Sequence, residues 1–245
     1  MKQGRIFVVG IGPGELEMMT GEVRECLEQC DVIAGYTFYV ELVRKWYPDK
    51  DIFTTGMRGE IERCRACYEL AATGKDVALV CSGDAGVYGM AAPVLALARE
   101  FPDTEVQVLP GVTAANSGAA VLGAPLNHDY CVTSLSDLLT PWDVIERRIR
   151  AAVLGDYCVA VYNPSSRKRA DYLRRMVDIM LDAGADPGRA CGYVENIGRE
   201  GTRAVTCSLA ELRDAEVNMF TTVYVGNSTT YIENGRMITP RGYKL

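Results

Sequence analysis

The sequence predicts an α/β protein of two domains, with a mainly parallel sheet in the N-terminal domain and a mixed sheet in the C-terminal domain. Two patterns lead to this fold class. In the first half, short apolar segments alternate with stretches whose apolar residues recur every three to four positions, as in buried parallel strands joined by helices. In the second half, Asn234-Gly235 lies between two short strand-like segments and is the preferred sequence for a tight antiparallel hairpin.

Five apolar segments of the first half predict strands, and the stretches between them predict helices. The segment 77–81 is the clearest strand, because five consecutive apolar residues suit a sheet that is covered on both faces. Met19, Val23 and Leu27 recur at helical spacing, and Gly74 ends a later helix. The strands are predicted at 5–9, 32–34, 51–54, 77–81 and 106–109, and the helices at 15–30, 39–47, 61–72 and 88–100.

The second half predicts further strands, three helices and the terminal hairpin, which is expected to make the second sheet mixed. Gly, Ala and Pro are dense between Pro110 and Pro125, so the domains are predicted to span residues 1–115 and 116–245. Strands are predicted at 130–133, 158–162, 190–195, 204–206, 221–226, 231–233 and 236–238, and helices at 141–154, 168–183 and 209–215.

Composition narrows the class of protein. The chain has 245 residues, 48% of them hydrophobic and 24% charged, which are ordinary globular values. No apolar run reaches the ~20 residues that a membrane span requires, and the first residues do not resemble a signal peptide, so we expect a cytoplasmic protein. The formal net charge of −6 argues against a dedicated nucleic-acid binder, which would need a basic surface.

Nine cysteines are an odd and high number. Several lie inside apolar runs, which favours buried free thiols in a reducing compartment over a disulfide scaffold. Cys64 and Cys67 have the C-x-x-C spacing, and Cys26 and Cys30 are one helical turn apart. Because no second C-x-x-C follows and His128 is the only histidine, we predict no metal site.

Gly10-Ile11-Gly12-Pro13-Gly14 directly follows the first strand and indicates a tight turn that a ligand can approach closely. A dinucleotide site is one alternative, but it requires glycine where Glu15 stands and an acidic residue where the second strand ends in Ala34-Gly35. A plain glycine turn is the other alternative.

Two more turns follow predicted strands. Ser82-Gly83-Asp84-Ala85-Gly86-Val87-Tyr88 lies at the carboxyl end of an apolar strand, the edge where α/β sheets bind ligands. Asp84 as a simple helix cap is the structural alternative. Pro110-Gly111-Val112-Thr113-Ala114 indicates a closely packed helix start, with or without a ligand beside it.

Together these turns resemble the tetrapyrrole (corrin/porphyrin) methylase family, in the family's order and spacing and over essentially the whole chain. The segments 127–130 and 134–142, and the run from Tyr162 through Asn163-Pro164-Ser165-Ser166 to Arg169, are similar to the branch that methylates C-17 of precorrin-3B or of its cobalt-containing counterpart. Family members often have Pro after the Gly-Asp pair, where this chain has Ala85.

The resemblance implies a homodimeric α/β enzyme of cobalamin (porphyrin-related) biosynthesis with its active site in the interdomain cleft. Such an enzyme transfers the methyl group of S-adenosylmethionine to a tetrapyrrole, releases S-adenosylhomocysteine, and is expected to couple the transfer to corrin ring contraction. Positions carried over from the family predict cofactor contacts at Pro13, Gly83, Asp84, Gly86, Val87, Tyr88, Thr113, Ala114, Asn163, Asn196 and Thr221.

Ring contraction requires proton transfers, and His128 with Asp129 are the candidates, because histidine titrates near neutral pH. The alternative is that His128 only positions a loop. The substrate implied by the resemblance is a polycarboxylate, so local cations should meet it. The substrate-binding candidates are Gly12, Arg58, Arg167 and Arg169, whereas Arg147, Arg148 and Arg150 are interpreted as a solvated helix face.

Four other functions remain open. A protein- or RNA-directed member of the same superfamily is one of them, although the acidic balance and the 134–142 segment argue against it. A methyltransferase for another corrin position would differ in the site of methylation. A tetrapyrrole carrier without catalysis would bind the macrocycle but not S-adenosylmethionine. An NAD(P)-dependent oxidoreductase is suggested by the first glycine loop alone and would bind a dinucleotide.

Overall fold

The computed structural model describes residues 3–166 and 168–243, and the chain groups into two compact units, Met1–Ala114 and Ala115–Leu245. The first unit contains strands β1 (Ile6–Gly10), β2 (Val32–Tyr36), β3 (Asp51–Thr55), β4 (Val77–Cys81) and β5 (Val106–Leu109), with helices α1 (Gly21–Gln29), α2 (Thr37–Arg44), α3 (Glu60–Ala72) and α4 (Ala91–Leu97). Its strands form one parallel sheet in the order β3-β2-β4-β1-β5, which confirms the predicted parallel sheet.

Both faces of this sheet are buried. Alternate side chains of a strand point to opposite faces, so each strand contributes residues to two cores. Val77, Leu79 and Cys81 join the core beneath α3 and α4, whereas Ala78 and Val80 join the core beneath α1 and α2. The continuous apolar run of β4 therefore follows from its central place between two helical layers.

The second unit is built around a mixed sheet, in the order β10-β9-β11-β8-β7. The strands are β6 (Gly123–Ala124), β7 (Tyr130–Ser134), β8 (Cys158–Tyr162), β9 (Ala190–Glu195), β10 (Arg203–Ser208), β11 (Thr221–Val225), β12 (Tyr231–Glu233) and β13 (Arg236–Ile238). Helices α6 (Trp142–Leu154), α7 (Tyr172–Asp182) and α8 (Leu209–Leu212) pack on one face of this sheet, and α5 (Ala114–Leu122) precedes β6. Strands β7 and β8 are parallel and the other pairs antiparallel, which confirms the mixed sheet.

The terminal hairpin forms as predicted, but its assignment to the mixed sheet was wrong. Strands β12 and β13 pair in antiparallel fashion, and β13 pairs with β6 in a separate sheet of three short strands. Met237 of the hairpin is fully buried, and its sulfur packs so closely on Gly192 that a Cβ there would lie 2.9 Å away. The larger sheet is mixed instead because β7 and β8 are parallel, whereas the pairs that involve β9, β10 and β11 are antiparallel.

Some helices begin later than predicted. The helix expected over 15–30 is a 3₁₀ turn at Leu16–Met18 followed by α1, which begins where the Thr20 hydroxyl accepts a hydrogen bond from the Val23 amide at 3.2 Å. The helix expected from Tyr88 begins only at Ala91, because Tyr88 adopts a left-handed conformation with φ of 55°.

Three observations bear on the predicted class of protein. Within residues 3–166 and 168–243, no helix combines the length and apolar character needed to cross a membrane. All nine cysteines are free thiols, six of them buried. No cluster of three or more His, Cys, Asp or Glu side chains with metal-binding geometry occurs in that same part of the chain.

Candidate active site

Three loops meet at the carboxyl edge of the first unit's sheet, where they follow the adjacent strands β4, β1 and β5. Gly12 and Gly83 exchange two backbone hydrogen bonds, of 3.0 Å from the Gly12 amide and 2.7 Å from the Gly83 amide. The Ile11 amide donates to the Cys81 carbonyl at 2.9 Å. The first two sequence motifs are therefore joined by an isolated antiparallel bridge just beyond the ends of β1 and β4.

The carboxylate of Asp84 fastens the loop after β4 to the loop after β5. Oδ1 accepts hydrogen bonds from the amides of Gly86, at 2.8 Å, and Val87, at 3.1 Å. Oδ2 accepts one from the Gly111 amide at 3.0 Å, across 27 residues of sequence. Asp84 does not cap helix α4, which begins at Ala91 after Met90.

Glycine is required at position 111 because two other backbones approach it closely. A Cβ there would lie 2.3 Å from the carbonyl oxygens of both Gly10 and Gly83. Real Cβ atoms do not come so near to backbone oxygen, so a side chain would force the three loops apart. The three motifs are thus one interlocked structure at this edge.

The hydrogen bonding within these loops bears on the kind of ligand they fit. A phosphate cradle presents free backbone N–H groups to its anion. Here the amides of Ile11, Gly12 and Gly83 donate to carbonyls, and three others donate to Asp84. Asp84 also carries the only formal charge in residues 10–14, 82–89 and 110–113. This edge therefore suits a ligand without phosphate better than a dinucleotide.

The other predicted cofactor contacts of the first unit lie on these same loops. Tyr88 adopts positive φ and is 59% exposed, so its side chain lies at the protein surface beside this edge of the sheet. Pro13 is buried, and Thr113 and Ala114 are half-buried at the start of α5. The fold thus brings together Pro13, Gly83, Asp84, Gly86, Val87, Tyr88, Thr113 and Ala114, together with Gly12.

Arg58 lies at the same carboxyl edge, in the loop after β3. It is exposed and has φ of 69°. The loop is held by Arg63, a buried cation whose Nε donates to Thr55 Oγ1 at 2.9 Å and whose Nη2 donates to the Gly56 carbonyl at 3.0 Å. The predicted cation thus follows the same edge of the sheet as the three loops, beyond β3.

In the second unit, Asn163, Asn196 and Thr221 lie at one edge of the mixed sheet. Asn163 follows the end of β8, Asn196 follows the end of β9, and Thr221 begins β11 between them, opposite Glu195. Both asparagines adopt the left-handed conformation, with φ of 53° and 52°, which Asn tolerates better than most residues. The Asn163 side chain donates to Ser134 Oγ at 2.9 Å.

Arg169 is already paired. Its Nε lies 2.7 Å from Oδ1 of Asp137, and the Tyr172 hydroxyl donates to Oδ2 of the same carboxylate at 2.6 Å. The Tyr172 hydrogen bond, and then the charge of Arg169, lower the pKa of Asp137. Part of the positive charge predicted to meet the substrate is therefore neutralised. Arg167 lies outside the described residues.

His128 and Asp129 are at the opposite end of this sheet. They precede β7, whose first residue pairs with the first residue of β8, whereas Asn163 follows the last residue of β8. The length of a five-residue strand, roughly 16 Å, separates the two edges. A cavity of about 490 Å³ at the His128 edge is lined by His128, Asp129, Gly155, Asp156, Tyr157, Asn227, Thr229, Pro240, Arg241 and Gly242.

Sequence reasoning did not single out Ser134, Asp137 and Arg63 as supports of the candidate residues. Ser134 and Asp137 lie in the 134–142 segment noted for its resemblance, so the segment was found but not its contacts. For Arg63, the available signal was a cation on the apolar side of a predicted helix, one residue before Cys64. Which partner each side chain reaches depends on contacts distant in sequence, which a local pattern does not reveal.

Comparisons with known proteins bear on the family and the fold of this chain. Residues 5–213 match the family described as Tetrapyrrole (Corrin/Porphyrin) Methylases. A protein of Salmonella typhimurium named "Probable cobalt-factor III C(17)-methyltransferase" is 48% identical over 98% of this chain and 100% of its own length. The crystal structure of the methyltransferase CobJ superposes with a TM-score of 0.88 at 35% identity, covering 97% of this chain and 100% of that one. A uroporphyrin-III C-methyltransferase from Thermus thermophilus complexed with S-adenosylhomocysteine shares the fold, with a TM-score of 0.68 at 23% identity over 91% of this chain and 92% of that one.

Proposed function

The chain belongs to the family of tetrapyrrole (corrin/porphyrin) methylases, and we propose that it transfers a methyl group from S-adenosylmethionine to C-17 of cobalt-factor III in cobalamin biosynthesis. Support for this substrate is the near-complete match with a relative that is itself named a cobalt-factor III C(17)-methyltransferase. Metal-free precorrin-3B is the second candidate substrate, and the cobalt ion in the first is part of the substrate.

The observation that carries the choice of cofactor is the interlocked edge of the first unit. Six of its loop amides donate to carbonyls or to Asp84, so these six are not available to a phosphate. S-adenosylmethionine has no phosphate and carries a positive sulfonium, and the single charge of these loops is negative. Asp84, Tyr88 and Thr113 are the side chains that we expect to hold it from the first unit, and Asn163, Asn196 and Thr221 from the second.

When bound, S-adenosylmethionine supplies an electrophilic methyl group, and the protein's task is to position the carbon that accepts it. Methyl transfer needs no strong acid or base, so rigid placement contributes most, up to roughly 7–11 kcal/mol. The Asp84–Gly111 hydrogen bond and the close packing of three glycine backbones supply that rigidity. Arg58 is proposed to bind a carboxylate arm of the substrate, as are Arg167 and Arg169, with Asp137 orienting Arg169.

The test is a reaction with purified protein, without oxygen, containing cobalt-factor III and S-adenosylmethionine labelled with ¹³C at the methyl group. We expect one labelled methyl group per product molecule, located at C-17 by NMR. Label at another carbon would identify a methyltransferase for a different corrin position. A protein that binds the tetrapyrrole but neither transfers the methyl group nor binds S-adenosylhomocysteine would be a carrier. A parallel incubation with precorrin-3B compares the two candidate substrates.

His128 and Asp129 are proposed to serve the proton transfers of ring contraction. Because they lie at the edge of the mixed sheet opposite Asn163, this role requires the tetrapyrrole to reach that edge, where the cavity of about 490 Å³ lies. The His128 Nδ1 accepts a hydrogen bond from the Asp129 amide at 2.8 Å, which leaves Nε2 to exchange a proton. We expect His128→Ala to bind S-adenosylhomocysteine normally and to lose the contracted product, as measured by product mass and absorption spectrum. If the variant forms the same product at the same rate, His128 has no role in the chemistry.

We further propose that the enzyme is a cytoplasmic homodimer. Nine free cysteines support a reducing compartment. Exposed apolar side chains such as Tyr231, Ile232 and Val121 offer surface that a second copy could cover. Sedimentation velocity of the purified chain measures the oligomeric state directly.

A further inference from the structure

Two leucines stand out on the surface of the second unit. Leu139 is 97% exposed and Leu138 is 61% exposed, in the segment between β7 and α6. Leu135, three residues before Leu138, is fully buried, and its amide donates to the Tyr162 carbonyl at 3.0 Å. The segment therefore leaves the core and turns two large apolar side chains outward in succession.

This exposure is held in place by contacts on both sides of the pair. Before it, the Ser136 amide donates to Ser134 Oγ at 3.2 Å, and Asp137 is bound by both Arg169 and Tyr172. After it, the Trp142 ring packs on the Tyr172 ring with centroids 4.6 Å apart. Because the segment is fixed at both ends, the leucines stay exposed to water. This exposure of apolar surface is unfavourable, and a bound partner would remove it.

The pair is continuous with the candidate residues of the second unit. The Ser134 hydroxyl that fixes the start of the segment also accepts the hydrogen bond from Asn163. Arg169 contacts the segment through its ion pair with Asp137, and the exposed Lys168 directly precedes Arg169 in the sequence. A flat apolar macrocycle rimmed with carboxylates is complementary to an apolar pair beside this basic stretch, whereas a purely apolar partner would leave Lys168 unused.

We propose that Leu138 and Leu139 form an apolar platform on which the face of the tetrapyrrole macrocycle packs, and that they help determine the enzyme's affinity for this substrate. The inference rests on the proposed function, since the occupant is the substrate named there. It adds a contact that acts on the tetrapyrrole alone and not on S-adenosylmethionine.

The experiment compares Leu139→Ser and the double variant Leu138→Ser/Leu139→Ser with the wild type. Leu154→Ser is the matched control, because Leu154 is 80% exposed and ends α6 at the opposite edge of the sheet. Binding of cobalt-factor III is followed by its visible absorption, and binding of S-adenosylhomocysteine by calorimetry. We expect Leu139→Ser to raise the Kd for the tetrapyrrole about 10-fold, because one leucine is no longer buried on binding, and the double variant to raise it further.

The Kd for S-adenosylhomocysteine and the urea midpoint should not change in any variant, since these side chains are already exposed in the folded chain. Equal tetrapyrrole affinity in the wild type and both variants would overturn the platform while leaving the proposed function intact. A wild type that binds S-adenosylhomocysteine but no tetrapyrrole would refute the proposed function and the platform together. A shift in sedimentation coefficient with unchanged tetrapyrrole affinity would show that the pair covers a second copy of the chain, and would also overturn the proposal.

Discussion

At the scale of single residues, Asp84 has the clearest structural role, because its two carboxylate oxygens accept three backbone hydrogen bonds in two loops. Asp84→Ala leaves these amides without their partner, and one unmade hydrogen bond of this kind costs about 1–3 kcal/mol. We expect a lower free energy of unfolding and weaker S-adenosylhomocysteine binding, measured by urea denaturation and calorimetry. Asp103→Ala, which removes an exposed carboxylate of the same unit, is the control.

Asp84→Asn separates two contributions of this side chain. The amide oxygen can still accept from the Gly86 and Val87 amides, but its NH₂ group then faces the Gly111 amide, donor against donor. We expect cofactor affinity between those of the wild type and Asp84→Ala. If a folded Asp84→Ala binds S-adenosylhomocysteine as the wild type does, the cofactor does not depend on this turn.

At the scale of elements, the loop after β5 depends on glycine for space and not for flexibility. Gly111→Ala would place a methyl group 2.3 Å from two carbonyl oxygens, so we expect a loss of stability and of S-adenosylhomocysteine binding. Gly21→Ala is the matched control, because nothing lies within 4 Å of a Cβ at the first residue of α1. There alanine should be neutral or stabilising by up to about 1 kcal/mol. Equal denaturation midpoints for the two variants would contradict the interlocked loops.

The same scale shows how far local patterns reach. Periodicity located the strands of the first sheet, because a strand buried on both faces is continuously apolar, as β4 is. It missed the start of α4, because Tyr88, four residues after Asp84, adopts the left-handed conformation and the helix begins only at Ala91. It also placed the hairpin in the larger sheet, because pairing of β13 with β6 joins residues more than a hundred positions apart.

For the candidate site, the sequence located the loops but not their bonds. The resemblance to the family brought the turns that contain Gly12, Gly83 and Gly111 into one prediction, and the fold places them together. The separation of His128 from Asn163 followed only from strand register, since both flank the same pair of parallel strands at opposite ends. Such long-range register depends on the whole sheet and leaves no local mark in the sequence.

At the scale of the whole molecule, buried thiols make stability sensitive to alkaline pH. Burial is the main cause that raises the pKa of Cys64 to about 11, and of Cys67 and Cys81 to about 12. An exposed thiol in the unfolded chain titrates near ~8.5. At a pH between the thiol pKa of the unfolded chain and that of the folded chain, the folded chain binds more protons than the unfolded chain. The contribution of the protonated thiols to stability is therefore complete below pH ~8.5 and declines as the pH rises towards 11 or 12.

We therefore expect the free energy of unfolding, measured by urea denaturation with a reductant present, to fall steadily from pH 8 to pH 10.5. Each fully buried thiol contributes up to about 1.4 kcal/mol per pH unit in that window. Cys67→Ala removes one such group, so its stability should fall less steeply with pH than that of the wild type, even though its stability at pH 7 is lower. In the native chain Cys67 and Cys81 should resist a thiol reagent that modifies all nine cysteines in denaturant. A wild-type stability that stays constant to pH 10.5 would mean that these thiols ionise as readily in the folded chain as in the unfolded one, and that the cores around them admit water.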